Sequence, residues 1–310
     1  MRLKLGRPDI SRYADRFDVP VAADDFAVTF LGVASLLFDD GKHAVLTDGY
    51  FSRPPLRKVG FGKITPDERR VDDTLTRAGI SRLDAVLPVH THFDHALDSA
   101  VVALRTGATM VGGESAANVG RGGGLPPERI NVVTSGQRVP FGSFAVTLVE
   151  SAHCPPDRYP GTITEPVVPP ARADAYRCGE AWSMLVEHAA GRTALVQGSA
   201  GYVAGSLDGL HADVVYLGVG QLGLCDDDYV EAYWQHVVRA VEARRAVLIH
   251  WDDFFRPLDE PLRALPYAGD DLDATMRRLD RLAERDGVTL HFPTAWRRED
   301  PWAIRSATGR

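Results

Sequence analysis

The chain has 310 residues, 45% of them hydrophobic and 25% charged, enough for a large buried core in a globular protein. A net charge of −7 argues against the basic surface that a nucleic-acid partner requires. No apolar run approaches the ~18 residues of a membrane span, and the polar N-terminus, MRLKLGRPDISRYADRF, lacks the apolar core of a secretory signal.

Residues 1–25 are polar and read as a surface arm, with one domain over 26–310. Residues 27–33 and 35–38 are strand candidates, Asp40-Gly41 is a hairpin signal, and residues 44–46 return as a third strand. Residues 52–65, rich in Pro, Gly and basic side chains, read as a loop. The segment 66–78 predicts a helix, with Pro66 at its start and Gly79 at its end. Residues 83–89 form a short apolar run, hence a buried strand, which leads into a histidine cluster. A helix over 97–104, a strand over 109–111 and a β-rich run over 144–149 follow, the last leading to His153.

Residues 154–180 break this rhythm. Six prolines between Pro155 and Pro170 cannot pass through a central sheet, and the segment is too long for an ordinary connector. It therefore reads as a functional loop. Strands are expected again over 182–186, 193–196 and 214–217. Val230, Tyr233, Trp234, Val237, Val238 and Val241 then recur at spacings of three and four, as on one face of a helix. An apolar strand over 246–249 runs into His250. A second helix carries Leu272, Met276, Leu279 and Leu282, stops at Gly287, and precedes a last strand over 288–292. Strands and a helix, then strands and a helix again, suit an α/β sandwich with helices outside.

Five of the ten histidines, His90, His92, His95, His153 and His250, fall at the ends of these strands, where α/β proteins gather functional side chains. Three of them lie with Asp94 in the hexapeptide HTHFDH. On extended backbone His90 and His92 point the same way, and a tight turn brings Asp94 and His95 alongside. Neutral imidazole and carboxylate suit zinc and similar divalent ions. His90, His92 and His153 can form one triad, and Asp94, His95 and His250 a second. Two ions about 3.5–4 Å apart, bridged by water, are the expectation. His43, His188, His211, His236 and His291 have no such company. Cys154, Cys178 and Cys225 are odd in number and irregular in spacing, as in a reducing, cytoplasmic setting, and Cys154 and Cys178 read as small buried hydrophobes.

HTHFDH, His153, the turn Gln197-Gly198-Ser199-Ala200-Gly201 and the late His250 resemble the metallo-β-lactamase superfamily, over roughly residues 26–292. The resemblance implies an αββα sandwich of two β-sheets flanked by helices, with metals at one sheet edge. It gives Asp48 the role of a carboxylate that hydrogen-bonds the ligands and fixes their rings. The segments LGVASLLF and LIHWDDFF resemble the branch containing ascorbate-6-phosphate lactonase. Most hydrolases of the superfamily carry an aspartate after the glycine of that turn, bridging the metals. Here it is Ser199, a set similar to the third subclass of metallo-β-lactamases. The second metal site is accordingly expected to be the weaker. Asp252 or Asp253 could compensate, although a supporting role is the preferred reading.

The implied chemistry is attack by a metal-bound hydroxide on a carbonyl, in a lactone, ester, amide or β-lactam, with Asp94 orienting the nucleophile. Tyr50, Arg53, Tyr159 and Trp182 are candidates for binding a small-molecule substrate, with Phe51, Tyr176, Arg158 and Arg172 as further wall or anion-holding residues. Three other readings stay open: a phosphodiesterase of the same fold, a diiron redox enzyme, and a non-catalytic metal sensor. His92 speaks against the diiron reading, because such relatives carry a carboxylate there. A homo-oligomer also stays open.

Overall fold

A computed structural model describes residues 4–303. The first sheet is built from β1 (Ala27–Phe30), β2 (Leu36–Asp39), β3 (Ala44–Thr47), β4 (Ala85–Leu87), β5 (Thr109–Gly112) and β6 (Ile130–Val132). The second comes from β7 (Gln137–Phe141), β8 (Phe144–Ser151), β9 (Ala181–His188), β10 (Arg192–Gln197), β11 (Val214–Gly218), β12 (Arg245–Ile249) and β13 (Thr289–His291). A last short strand, β14 (Arg298–Glu299), returns to the first sheet beside β1. The two seven-stranded orders are β14-β1-β2-β3-β4-β5-β6 and β13-β12-β11-β10-β9-β8-β7.

Each sheet repeats one plan. β14 to β3 pair antiparallel and β3 to β6 parallel; β7 to β10 pair antiparallel and β10 to β13 parallel. The halves are thus structural duplicates, although no sequence repeat announces it. Alternation along the strands assigns the two faces of the first sheet. Val28, Phe30, Leu36, Phe38, Val45 and Leu87 face the core between the sheets, where the Phe38 and Tyr216 rings meet at 6.0 Å. Leu37, Leu46, Val86 and Met110 face outward under helices. Burial on both sides explains why these strands read as continuous apolar runs.

The helices on the first sheet are α1 (Leu56–Phe61), α2 (Glu68–Arg77), α3 (Phe93–Ala96), α4 (Ser99–Thr106) and α5 (Glu114–Gly122). On the second sheet lie α6 (Asp227–Trp234), which continues through a π-helical turn to Arg239, and α7 (Leu272–Asp286). Asp271 caps α7 by accepting from Ala274 N at 3.1 Å, and Gly287, at φ +67°, ends it. The 52–65 loop therefore contains a helix, α1, and α5 was not anticipated either. Glycine is needed at the end of α5 because a Cβ on Gly122 would meet Val167 O at 2.0 Å. That close approach is tertiary and leaves no periodic trace. β6, β7 and β14 are short or polar strands near sheet edges, the kind apolar patterning does not detect.

Within residues 4–25, which are mostly exposed, a few side chains anchor the segment to the body. A 3-10 turn spans Ile10–Arg16, the Phe17 ring stacks on Phe292 at 5.2 Å, and Val19 is buried. The 154–180 segment splits in two. Its first residues border the cleft described below. Ile163, Val167, Ala173 and Tyr176 join the outer core on the first sheet. Ile64 and Ala171 exchange backbone hydrogen bonds of 2.7 and 3.0 Å, which hold this part down.

One ion pair ties the two sheet ends together. Arg53, after β3, and Asp252, after β12, are both fully buried, with Nη2 and Oδ2 2.5 Å apart. The other Asp252 oxygen accepts from Val33 N at 2.9 Å. Removing one partner strands a buried charge, so Arg53→Leu should cost about 3–5 kcal/mol in urea unfolding. Arg69→Ala, which breaks only the exposed pair with Asp73, should change stability by less than about 1 kcal/mol. Equal stability of the two variants would overturn this account.

Candidate metal centre

Five loops deliver the site residues to one end of the sandwich. Asp48 follows β3, His90 and His92 follow β4, His153 follows β8, Ser199 follows β10 and His250 follows β12. His92 is the N-cap of the one-turn helix α3, which carries Asp94 and His95. Three non-glycine residues here have left-handed backbone: Val33 at φ +53°, Asp48 at φ +55° and His250 at φ +59°. Such conformations persist only where surrounding contacts enforce them. The enforcing contact for His250 is its N–H, which donates to Val33 O at 2.7 Å.

The residues converge as two clusters, His90 with His92 and His153, and Asp94 with His95 and His250, the donor atoms of each lying within 4.8 Å of one another. In the first, His90 Nε2 and His92 Nδ1 are 3.1 Å apart. In the second, His95 Nε2 and His250 Nε2 are 3.2 Å apart, and Asp94 Oδ2 lies 3.8 and 3.6 Å from them. Tetrahedral ligation at ~2.1 Å spaces donor atoms about 3.4 Å apart, so the second triad already has the dimensions of a metal site. The His90 and His95 rings, at 3.9 Å between centroids, place the clusters side by side.

Outer hydrogen bonds set the tautomers. His95 Nδ1–H donates to Asp48 Oδ2 at 2.7 Å, and His153 Nδ1–H to Cys154 O at 2.6 Å. His92 Nε2 lies 3.2 Å from Asp157 Oδ1 and 3.3 Å from Tyr159 O, so it is the protonated nitrogen of that ring. Each of these rings then turns a bare lone pair toward its triad. Burial disfavours the imidazolium form. It holds His90 and His95 well below the usual histidine range, with repulsion among the rings adding to the effect, and holds His92 and His250 at about 4. Burial also pushes the Asp94 carboxyl up to about 7 and Asp48 well above its usual range. Among the described residues no Lys or Arg pairs with Asp48 or Asp94. Neutral lone pairs and uncompensated carboxyls facing one another fit divalent cations, whose charge restores the ionised carboxylate.

The remaining candidates separate clearly. Asp48 supports both β4 and the site: its Oδ1 accepts from Val89 N at 2.8 Å, while Oδ2 holds His95. Ser199 Oγ accepts from Cys154 N at 3.0 Å and so braces the chain after His153. Asp252 braces Val33 and Arg53, and neither it nor Asp253 joins a donor triad. Three substrate-binding expectations need correction. Arg53 is consumed by Asp252, Tyr50 is fully buried with its hydroxyl 3.3 Å from Phe254 O, and Trp182 packs in the core between the sheets. Sequence position placed them near the histidines, but their side chains point into packed interior. Tyr159 and Arg158 do border the cleft beside the metal cluster, a cavity of about 580 Å³. Sequence reading missed Asp157 as the partner of His92, and it missed the apolar wall of Val59, Phe254, Phe255 and Leu265. Only the LIHWDDFF segment carried any signal for that wall, as an aromatic pair just beyond a ligand.

Because Asp48 fixes the His95 ring, Asp48→Asn should weaken the Asp94–His95–His250 site by roughly 10–100-fold while sparing the three-histidine site. Competition with a chromophoric chelator, resolved into two ions, checks this. Equal weakening of both sites would contradict the assignment.

No family model matches the sequence, and no curated protein matches it. Solved structures do match in fold. A possible metal-dependent hydrolase from Veillonella parvula superposes with TM-score 0.54 at 15% identity, covering 88% of this chain and 97% of that one. CmlA, a diiron β-hydroxylase from Streptomyces venezuelae, gives 0.53 at 14% identity over 89% of this chain and 54% of its own. Igni18, a metallo hydrolase from Ignicoccus hospitalis, gives 0.50 at 12% identity over 89% and 97%. Two mixed seven-stranded sheets packed face to face, helices on both outer sides and metal-donor clusters at one end give this chain the αββα metallo-β-lactamase fold.

Proposed function

We propose that the protein is a metal-dependent hydrolase that cleaves a carbonyl substrate, a lactone, ester or amide. The observation that carries this reading is the position of the two donor triads: His92, Asp94, His153 and His250 form part of the wall of one open cavity. A purely structural metal site would be closed by its own ligands.

His90, His92 and His153 would hold one divalent ion and Asp94, His95 and His250 a second, with zinc the expected metal. When bound, such ions supply Lewis acidity and an activated water at neutral pH. The chain does the positioning. Asp94 presents one oxygen to His95 and His250 and, bordering the cavity, leaves the other for the proton of the attacking water. The histidines would not serve as general bases, because their inner lone pairs would be committed to the ions. Asp48, Asp157 and the Cys154 carbonyl keep those rings from turning. Tyr159 and Arg158 border the substrate side.

Ser199 in place of a bridging carboxylate supports carbonyl over phosphodiester chemistry. A phosphodiester needs both attacking and leaving oxygens clamped, and the second site here lacks a shared carboxylate. The fold similarity to a diiron β-hydroxylase raises a redox alternative; five imidazoles and one carboxylate among six donors disfavour it. Three free thiols suit a cytoplasmic setting.

Elemental analysis of protein purified without chelator should find about two ions per chain. His90→Ala should lose mainly the first and His250→Ala mainly the second. Metal-replete protein should turn over esters, lactones or amides in preference to bis-aryl phosphodiesters, with activity lost on chelation and restored by metal. Phosphodiester turnover without any carbonyl activity would overturn the substrate class, and metal-free protein would overturn the centre.

A further inference from the structure

Resting on the hydrolase reading, we infer that the substrate carries a hydrophobic chain or ring next to its scissile carbonyl, and that the cavity beside the metal centre is the site for that group. The cavity holds about 580 Å³ and reaches from the metal-donor residues outward. That volume falls within the usual range of small-molecule sites, roughly 300–1,000 Å³.

Its walls decide the chemistry. Phe93, between the ligands His92 and Asp94, borders the cavity with Phe254 and Phe255. The Phe254 and Phe255 rings lie 4.4 Å apart, and Phe93 meets them at 6.3 and 6.5 Å, so three rings form one shelf beside the metal ligands. Leu56 and Val59 from α1, together with Leu265, line the same cavity and add to its apolar wall. Leu56 is 61% exposed and Phe61, on the same helix, 92% exposed. Apolar surface left open beside a reaction centre is costly unless something covers it. Arg158, Arg256 and Arg263 also border the cavity, but Arg256 already pairs with Glu260 and Arg263 with Asp253, so a charged or sugar-like group set on the shelf itself would leave its polar atoms unpaired. An alkyl or aryl group instead gains from each carbon buried. The occupant is the substrate itself, not a docking protein, because the shelf shares its cavity with His92, Asp94, His153 and His250.

The residues contribute differently. Phe254 also packs on the His250 ring at 5.9 Å and so is tied to the ligands. Among the described residues the Phe255 ring meets Phe93 and Phe254, not an imidazole, and Leu56 lies on α1, which carries none of the donor residues; these two are the cleaner probes of the chain site.

Two measurements test the proposal. In metal-replete protein, kcat/KM should rise about fourfold per added methylene from p-nitrophenyl acetate toward the octanoate, the effect of burying each CH₂. γ-Decanolactone should likewise outrun γ-butyrolactone. The double variant Leu56→Ser/Phe255→Ser should flatten the slope. In metal-free protein, Nile red, a neutral apolar dye, should bind with enhanced fluorescence, and the double variant should lose most of that binding. Circular dichroism and thermal unfolding verify that the variant is folded. If carbonyl substrates turn over with no dependence on chain length, the inference fails while the hydrolase reading stands. If no carbonyl substrate turns over but dye binding is present and lost in the variant, the hydrolase reading fails while the apolar site is upheld. Dye binding that is absent, or unchanged in the folded variant, overturns the inference.

Discussion

The interaction on which the rest of this molecule depends is electrostatic. Five imidazoles and the carboxyls of Asp48 and Asp94 are packed together at one end of a sandwich, largely buried, with His153 and His250 partly open to the cavity. The buried arginine at this end, Arg53, is already neutralised by Asp252, and among the described residues no Lys or Arg pairs with Asp48 or Asp94. In such a place imidazolium is disfavoured and an unpaired carboxylate is costly. The arrangement is consistent when the rings are neutral and a cation from solution supplies the positive charge. That single requirement sets the tautomers: three outer nitrogens donate to Asp48, the Cys154 carbonyl and the Asp157–Tyr159 segment, leaving the inner ones bare.

Holding bare lone pairs against one another requires rigidity, and the fold supplies it from the backbone. Asp48 is the clearest case. Its left-handed main chain turns the side chain back under β4, where one oxygen pins Val89 and the other pins His95. Val33 and His250, also left-handed, are locked by a hydrogen bond that crosses from one half of the duplicated architecture to the other. Arg53 and Asp252 repeat the crossing with a buried ion pair. At Val33 and His250 the contacts that enforce the left-handed backbone are ones that join the two sheets.

The cavity beside the donor clusters is walled largely by other elements. α1, the aromatic pair after His250 and the first residues after His153 wall the cavity without contributing ligands. The metal-donor residues and the cavity walls thus reside in separate elements: short turns at strand ends for the first, helix and loop for the second.

The sequence by itself determined the two donor clusters and most of the frame. HTHFDH carries its meaning locally, because a strand end followed by one helical turn brings His90, His92, Asp94 and His95 together whatever surrounds them. Alternating and three-four apolar spacing likewise located most of the strands, along with α6 and α7, since burial period is a local property. Asp48 and Ser199 were legible through their positions in motifs. Only the tertiary structure decided the rest. Tyr50 and Arg53 follow Asp48 and Trp182 follows the 154–180 loop, yet they are turned into the interior by Asp252, Phe254 and the core between the sheets. The pairing of Asp157 with His92 spans 65 residues by number, and the apolar wall joins residues near 59, 93, 255 and 265. Such contacts depend on how distant segments pack, and no period or spacing along the chain encodes them.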